Sequence, residues 1–123
     1  MQQNVYDDSS SPPKLPPARV LPIVIATALI EIPTLMARFG LGLESTRDTA
    51  ATLGKLTFGL RIHHGYIGLA LLIACRLANG LSEVWRHRLI VLGAGLLFSD
   101  LIHHFVFLWA ITGSPQFDFW YPR

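Results

Sequence analysis

The chain has 123 residues, 51% of them hydrophobic and 15% charged, with a mean hydropathy of +0.43. A soluble domain carries about a quarter charged residues, and one this small cannot hide so much apolar surface, so the composition predicts an all-α integral membrane protein surrounded by the lipid bilayer. The net charge of +2 gives no basis for nucleic-acid binding, and the single cysteine excludes an internal disulfide and any cysteine-based zinc motif.

Residues 1–18 form a polar, proline-rich segment that cannot bury enough apolar surface to fold alone, so we predict a disordered tail. Asp7 and Asp8 are atypical of the basic start of a signal peptide, and the apolar run that follows is too long for one. We therefore expect the first apolar segment to remain in the mature protein.

Three apolar stretches follow, from about Val20 to Leu43, Leu56 to Leu77 and Leu89 to Thr112. Each is close to the ~20 residues that a helix needs to cross a bilayer. The links at 44–55 and 78–88 are short, which makes successive helices antiparallel neighbours. The sequence thus predicts a bundle of about three transmembrane helices over residues 19–113.

The C-terminal residues 114–123 are rich in aromatic side chains: Phe117, Phe119, Trp120 and Tyr121. Such a cluster directly after a span is typical of the aromatic belt at a membrane interface. Packing against a partner subunit is the alternative interpretation.

The distribution of basic residues predicts the orientation. With Arg38 and Arg61 set aside because they lie deep within spans, the side that holds the N-terminus carries five lysines and arginines and the other side carries three. The positive-inside rule then predicts a cytoplasmic N-terminus, in what we expect to be a bacterial inner membrane.

Several ionisable residues interrupt the apolar stretches, and such residues in a membrane indicate a functional site. They are Glu31 in the first stretch, Arg61, His63 and His64 in the second, and Asp100, His103 and His104 in the third. At about 1.5 Å of rise per residue, both histidine pairs lie about 4–5 Å from the middle of their stretches, in the same half of an antiparallel bundle. The four histidines are therefore expected at one depth.

The spacing on each predicted helix selects a face. Asp100 and His104 are four residues apart and can touch, while His64 shares a stripe with Arg61, Gly65 and Gly68. These glycines would let another backbone or a flat cofactor approach. Neighbouring histidines point about 100° apart on a helix, so only one of each pair faces a given point. We therefore favour His64 and His104 as ligands.

The candidate site comprises four histidines and two carboxylates: His63, His64, His103, His104, Asp100 and Glu31. Within it, His63 and His103 are expected to be further ligands or hydrogen-bonding partners of the ligands. These groups suit a transition metal, namely iron, copper or zinc. A b-type haem held by one histidine from each of the second and third helices is the second hypothesis.

The three predicted spans and the run Gly59-Leu60-Arg61-Ile62-His63-His64-Gly65 resemble the membrane anchor subunits of succinate dehydrogenases and fumarate reductases. The chain lacks the histidine-arginine start motif of those anchors. The resemblance is consistent with a small subunit of a larger redox or energy-converting complex, with other membrane proteins as partners.

Two further hypotheses remain. The histidines and carboxylates could form a proton or quinone relay, because the ordinary histidine pKa lies near neutrality. They could also only hydrogen-bond between helices, in an accessory subunit whose role is assembly.

Overall fold

The computed structural model describes residues 19–121, which are mainly helical. The predicted disordered tail at 1–18 lies outside the described residues. The elements in chain order are α1 (Val20–Leu35), a π-helical turn (Met36–Gly40), a second π-helical segment (Ser45–Gly54), α2 (His64–Leu77), α3 (Glu83–Ile102), a third π-helical segment (His103–Leu108) and α4 (Trp109–Thr112).

The last apolar stretch forms the longest helical rod. The Ser82 side chain accepts a hydrogen bond from the backbone N–H of Trp85 and caps the start of α3. The rod then runs through the third π-helical segment and α4, and ends where Gly113 adopts a left-handed φ of 74°. Glycine takes this conformation without steric cost, so the chain reverses here and returns toward the bundle.

The middle helix is shorter than predicted. A helix was expected from about Leu56 to Leu77, but α2 begins only at His64 and has 14 residues. Phe58 and Gly59 have φ values of 56° and 89°, which no right-handed helix accommodates. Arg61 and His63 therefore lie before the helix, so the predicted helical stripe through Arg61 is wrong. The link predicted at residues 44–55 is not a simple loop, because residues 45–54 within it are helical.

Helix α3 packs against both α1 and α2. Gly68 of α2 lies against Gly93 of α3, and Gly65 lies against Asp100 further along α3, so these two helices run in opposite directions. Ala26 of α1 contacts Gly95, and Glu31 contacts Ser99, so α1 and α3 run in the same direction.

The described residues bury polar groups and expose apolar ones. The buried hydrophobic residues are Cys75, Ala94 and Leu108, whereas the buried polar residues are Glu31, Arg61, His63, Ser99, Asp100, His103 and His104. Between residues 19 and 121, thirty large hydrophobic residues are exposed. Two helical stretches, Val20–Gly40 and Glu83–Thr112, are long and apolar enough to cross a membrane, and His64–Leu77 is apolar but shorter.

The Gly68–Gly93 contact supplies a test of this packing. A Cβ added at Gly68 would lie 2.5 Å from the Gly93 carbonyl oxygen, whereas one added at Gly40 meets nothing within 4 Å. We expect Gly68→Ala to destabilise the protein by about 1–3 kcal/mol, as overpacking does, and Gly40→Ala to leave the melting temperature in detergent nearly unchanged. Equal melting temperatures for the two variants would contradict the packing of α2 on α3.

Candidate metal centre

Three buried side chains each place one potential ligand atom within 4.8 Å of the other two. His63 precedes the first turn of α2, Asp100 lies in the last part of α3, and His104 lies in the π-helical segment that follows. The Nδ1 atom of His63 is 3.0 Å from Nε2 of His104. The Oδ1 atom of Asp100 is 3.6 Å from the former and 3.8 Å from the latter.

These separations match the size of a metal ion's coordination shell. The point equidistant from the corners of a triangle with sides of 3.0, 3.6 and 3.8 Å lies about 2.0 Å from each corner, which is the usual metal–nitrogen or metal–oxygen bond length for zinc. The three residues therefore could hold a metal ion.

The outer nitrogen of each of these imidazoles faces a backbone carbonyl. His104 Nδ1 is 2.7 Å from the Pro115 oxygen, and His63 Nε2 is 3.1 Å from the Asp118 oxygen. A carbonyl only accepts hydrogen bonds, so each of these nitrogens must carry the proton. In the neutral rings, His104 Nε2 and His63 Nδ1 therefore present lone pairs to each other and to Asp100. Carbonyls orient metal-ligating histidines in the same way.

His64 is oriented by a longer hydrogen-bond chain. The Ser99 hydroxyl donates to Glu31 Oε2 at 2.8 Å, so it accepts from His64 Nε2, which is 3.2 Å away. The other nitrogen of His64 then presents a lone pair to Asp100 Oδ1 at 3.3 Å. His103 completes the chain, with Nδ1 3.0 Å from Glu31 Oε1.

Asp100 Oδ1 is thus surrounded by lone pairs. It is buried and has no hydrogen-bond partner among the described residues. A buried carboxylate without a donor is costly, and several acceptors facing one another add repulsion. A metal ion would remove this repulsion, and so would one added proton shared between the Asp100 carboxyl and a facing imidazole.

The C-terminal tail covers this group. Phe117 stacks on His63 with ring centroids 4.4 Å apart and planes inclined by 22°. The buried Arg61 holds the tail through a bond from Nη1 to the Gln116 carbonyl oxygen at 2.9 Å. Backbone bonds from Arg61 N–H to Phe119 and from Tyr121 N–H to Gly59, both 2.9 Å, add to this anchorage.

Gly65 and Gly68 allow α2 and α3 to pack closely together. A Cβ at Gly65 would lie 2.6 Å from Asp100 Oδ2, so this glycine admits the carboxylate against the first turn of α2. The positive end of a helix dipole favours an anion there. The space beside Gly68 is taken by the backbone of α3.

Of the six residues selected from the sequence, the structure brings His63, His104 and Asp100 into one group whose ligand atoms all lie within 4.8 Å of one another. His64 lies outside that group and links it to the Glu31–His103 pair. Sequence reasoning did not select the Ser99 hydroxyl. It also missed the carbonyls of Pro115 and Asp118, because backbone groups carry no sequence signal.

A polar cavity of about 330 Å³ adjoins the group. Its walls include the three ligand residues and the polar segment between α1 and α2 (Glu44, Ser45, Thr46, Asp48 and Thr49). The candidate ligands and this polar segment therefore line one common cavity.

Comparisons of this chain with protein-family models, with curated proteins and with solved structures found no match. The interpretation of the site therefore depends on its geometry.

The carbonyl contacts predict the tautomers of the two histidines. With neutral rings, His104 should carry its proton on Nδ1 and His63 on Nε2. Nitrogen-15 chemical shifts of labelled protein in detergent at neutral pH, assigned with His63→Gln and His104→Gln variants, measure this directly. Opposite tautomers in metal-free protein would contradict the placement of the tail.

Proposed function

We propose that the protein is a small integral membrane protein that holds one transition metal ion between α2, α3 and the C-terminal tail. The observation that carries this proposal is the convergence of His63 Nδ1, His104 Nε2 and Asp100 Oδ1 at metal-binding separations, with the outer nitrogen of each histidine facing a carbonyl. Nitrogen and oxygen ligands of this kind suit iron, copper or zinc.

The distribution of polarity supports the membrane assignment. Exposed apolar side chains and a polar interior are favourable when the surrounding solvent is lipid. We propose that residues 56–77 supply the second of three crossings, because the 14 helical residues of α2 span only about 21 Å of the ~30 Å hydrocarbon core. Non-helical backbone is tolerated at membrane depth where it lines a cavity, and Arg61, Ile62 and His63 do so.

A bare metal ion fits the site better than haem. A haem held by two histidines would place its ring between them, but His63 and His104 are 3.0 Å apart. The gap that Gly65 and Gly68 could have offered to a flat ring is filled by Asp100 and by the backbone of α3.

A proton relay is the second candidate function. The hydrogen-bonded chain from His64 through Ser99 to Glu31 and His103 favours it, because the His64 end of this chain lies 3.3 Å from the second buried carboxylate, Asp100. In that case the charge at the centre would be a proton, and the purified protein would contain no metal.

We further propose that the chain works within a larger redox or energy-converting membrane complex. Support comes from the outer surface of the C-terminal tail, where Phe119 and Trp120 are 58% and 62% exposed. Large aromatic residues are enriched where protein subunits meet.

Substitution of the ligands tests the metal site. We expect His63→Ala and His104→Ala each to abolish stoichiometric metal binding, because two remaining ligands cannot retain the ion. Asp100→Asn should be nearly as damaging, since Asp100 supplies a ligand oxygen. His64→Ala should lower affinity by only about 10–100-fold, because His64 acts on Asp100 from outside the three-ligand group. Elemental analysis and chelator competition on purified protein give these values.

His87→Ala is the control for these variants, because His87 lies in α3 outside the site. It should bind metal as the unchanged protein does. Stoichiometric binding that survives both His63→Ala and His104→Ala would contradict the proposed centre.

Removing the tail tests its role in orienting the ligands. A chain that ends at Ser114 loses the Pro115 and Asp118 carbonyls and the Phe117 ring, so we expect metal affinity to fall by about 10–100-fold, as when the partners that orient a ligand are lost. Circular dichroism should show that the helices remain. Unchanged affinity would show that the tail does not orient the histidines.

A further inference from the structure

The three-ligand group leaves a coordination position open toward the polar cavity. Tetrahedral zinc sites with three protein ligands bind a water or another small molecule at the fourth position. His64 does not join the group of mutually close ligand atoms, and the cavity walls include all three ligand residues. An added ligand would therefore come from the cavity.

Arg61 gives the same cavity a second positive centre. Its side chain is 7% exposed, and its guanidinium donates to two neutral oxygens, the Gln116 carbonyl at 2.9 Å and the Ser45 hydroxyl at 2.7 Å. The carboxylate of Asp118 is 3.7 Å away and its side chain is 67% exposed. A carboxylate at that distance and exposure compensates a buried charge poorly.

The acidic residues at the cavity's outer end are already paired. Glu44 Oε1 accepts a hydrogen bond from Arg38 at 2.7 Å, and Asp48 Oδ1 accepts one from Arg47 at 2.9 Å. The bond from Arg47 holds the pKa of Asp48 below its ordinary value, so this carboxyl stays ionised and keeps its partner. Neither carboxylate is free to neutralise Arg61.

The interior of the site therefore carries excess positive charge when a divalent metal is bound. The ion and Arg61 bring three positive charges, and Asp100 and Glu31 bring two negative charges. The N-terminus of α2 adds a positive field at Asp100. Uncompensated charge at membrane depth is expensive, so one small anion would stabilise the site.

We propose that the cavity binds a small carboxylate or inorganic oxyanion, which occupies the open metal position and pairs with Arg61. This inference rests on the proposed metal centre and names the class of its exogenous ligand. The hydroxyl groups of Ser45 and Thr46 along the cavity supply further hydrogen-bond donors for such an anion. A cavity of about 330 Å³ holds it together with several waters, since a water takes about 30 Å³ of liquid.

The test uses the full chain in detergent, loaded with Co²⁺, whose visible absorption reports changes in its ligands. Acetate and phosphate are titrated at constant ionic strength. We expect a saturable spectral change in the unchanged protein and at least a tenfold weaker response in Arg61→Gln, with Arg61→Lys intermediate. Arg76→Gln removes an exposed guanidinium from the last turn of α2, away from the cavity wall, and should leave the response to both anions unchanged.

A neutral probe separates loss of charge from loss of structure, because Arg61 also anchors the tail. Imidazole, titrated at a pH where it is uncharged, should change the Co²⁺ spectrum equally in Arg61→Gln and in the unchanged protein. Equal anion binding in these two proteins, or no response to either anion in cobalt-loaded protein, would overturn the anion site. Failure to take up cobalt at all would instead refute the metal centre.

Discussion

The buried Asp100 carboxylate imposes the constraint on which the other features of the centre depend. Its Oδ1 atom has no hydrogen-bond donor and faces ring nitrogens of His63, His64 and His104. Each of these rings directs its other nitrogen to a carbonyl or a hydroxyl oxygen, which fixes the inward lone pairs. A hydrogen-bond network in a low-dielectric interior is stable only when every member is satisfied. A cation satisfies this one.

Two irregular parts of the fold, the late start of α2 and the third π-helical segment, position the side chains of that centre. Helix α2 starts at His64, so the preceding backbone is free to bond the C-terminal tail, whose carbonyls then reach the histidines. The third π-helical segment begins at His103, and such turns are frequent at functional sites. Within it, His103 contacts Glu31 of α1 while His104 contacts His63, so neighbouring residues serve two different partners.

The sequence predicted the helical class and the end of the last helix well, because long apolar stretches and the Thr112–Gly113 boundary are local signals. The last helix begins at Glu83, inside the predicted link, because Ser82 caps it ahead of the apolar stretch. It also selected the buried histidines and Asp100, since ionisable residues stand out in apolar runs. It did not predict where α2 begins, because the left-handed Phe58 is followed by a bridge from Leu60 to Trp120, which is far away in the chain. The sequence favoured His64 over His63 as a ligand because both were assumed to lie in one continuous helix. Helix α2 begins only at His64, so that assumption does not hold.

X-ray absorption at the metal edge tests the central claim most directly. Protein purified with its metal, or loaded with one equivalent of zinc, should show only nitrogen and oxygen neighbours at about 2.0–2.1 Å, with multiple scattering from two imidazoles. A sulfur neighbour at about 2.3 Å would contradict the account, because it would place the ion at Cys75 instead. A metal ion without imidazole neighbours would also contradict the account, and so would a protein that retains no metal under these conditions.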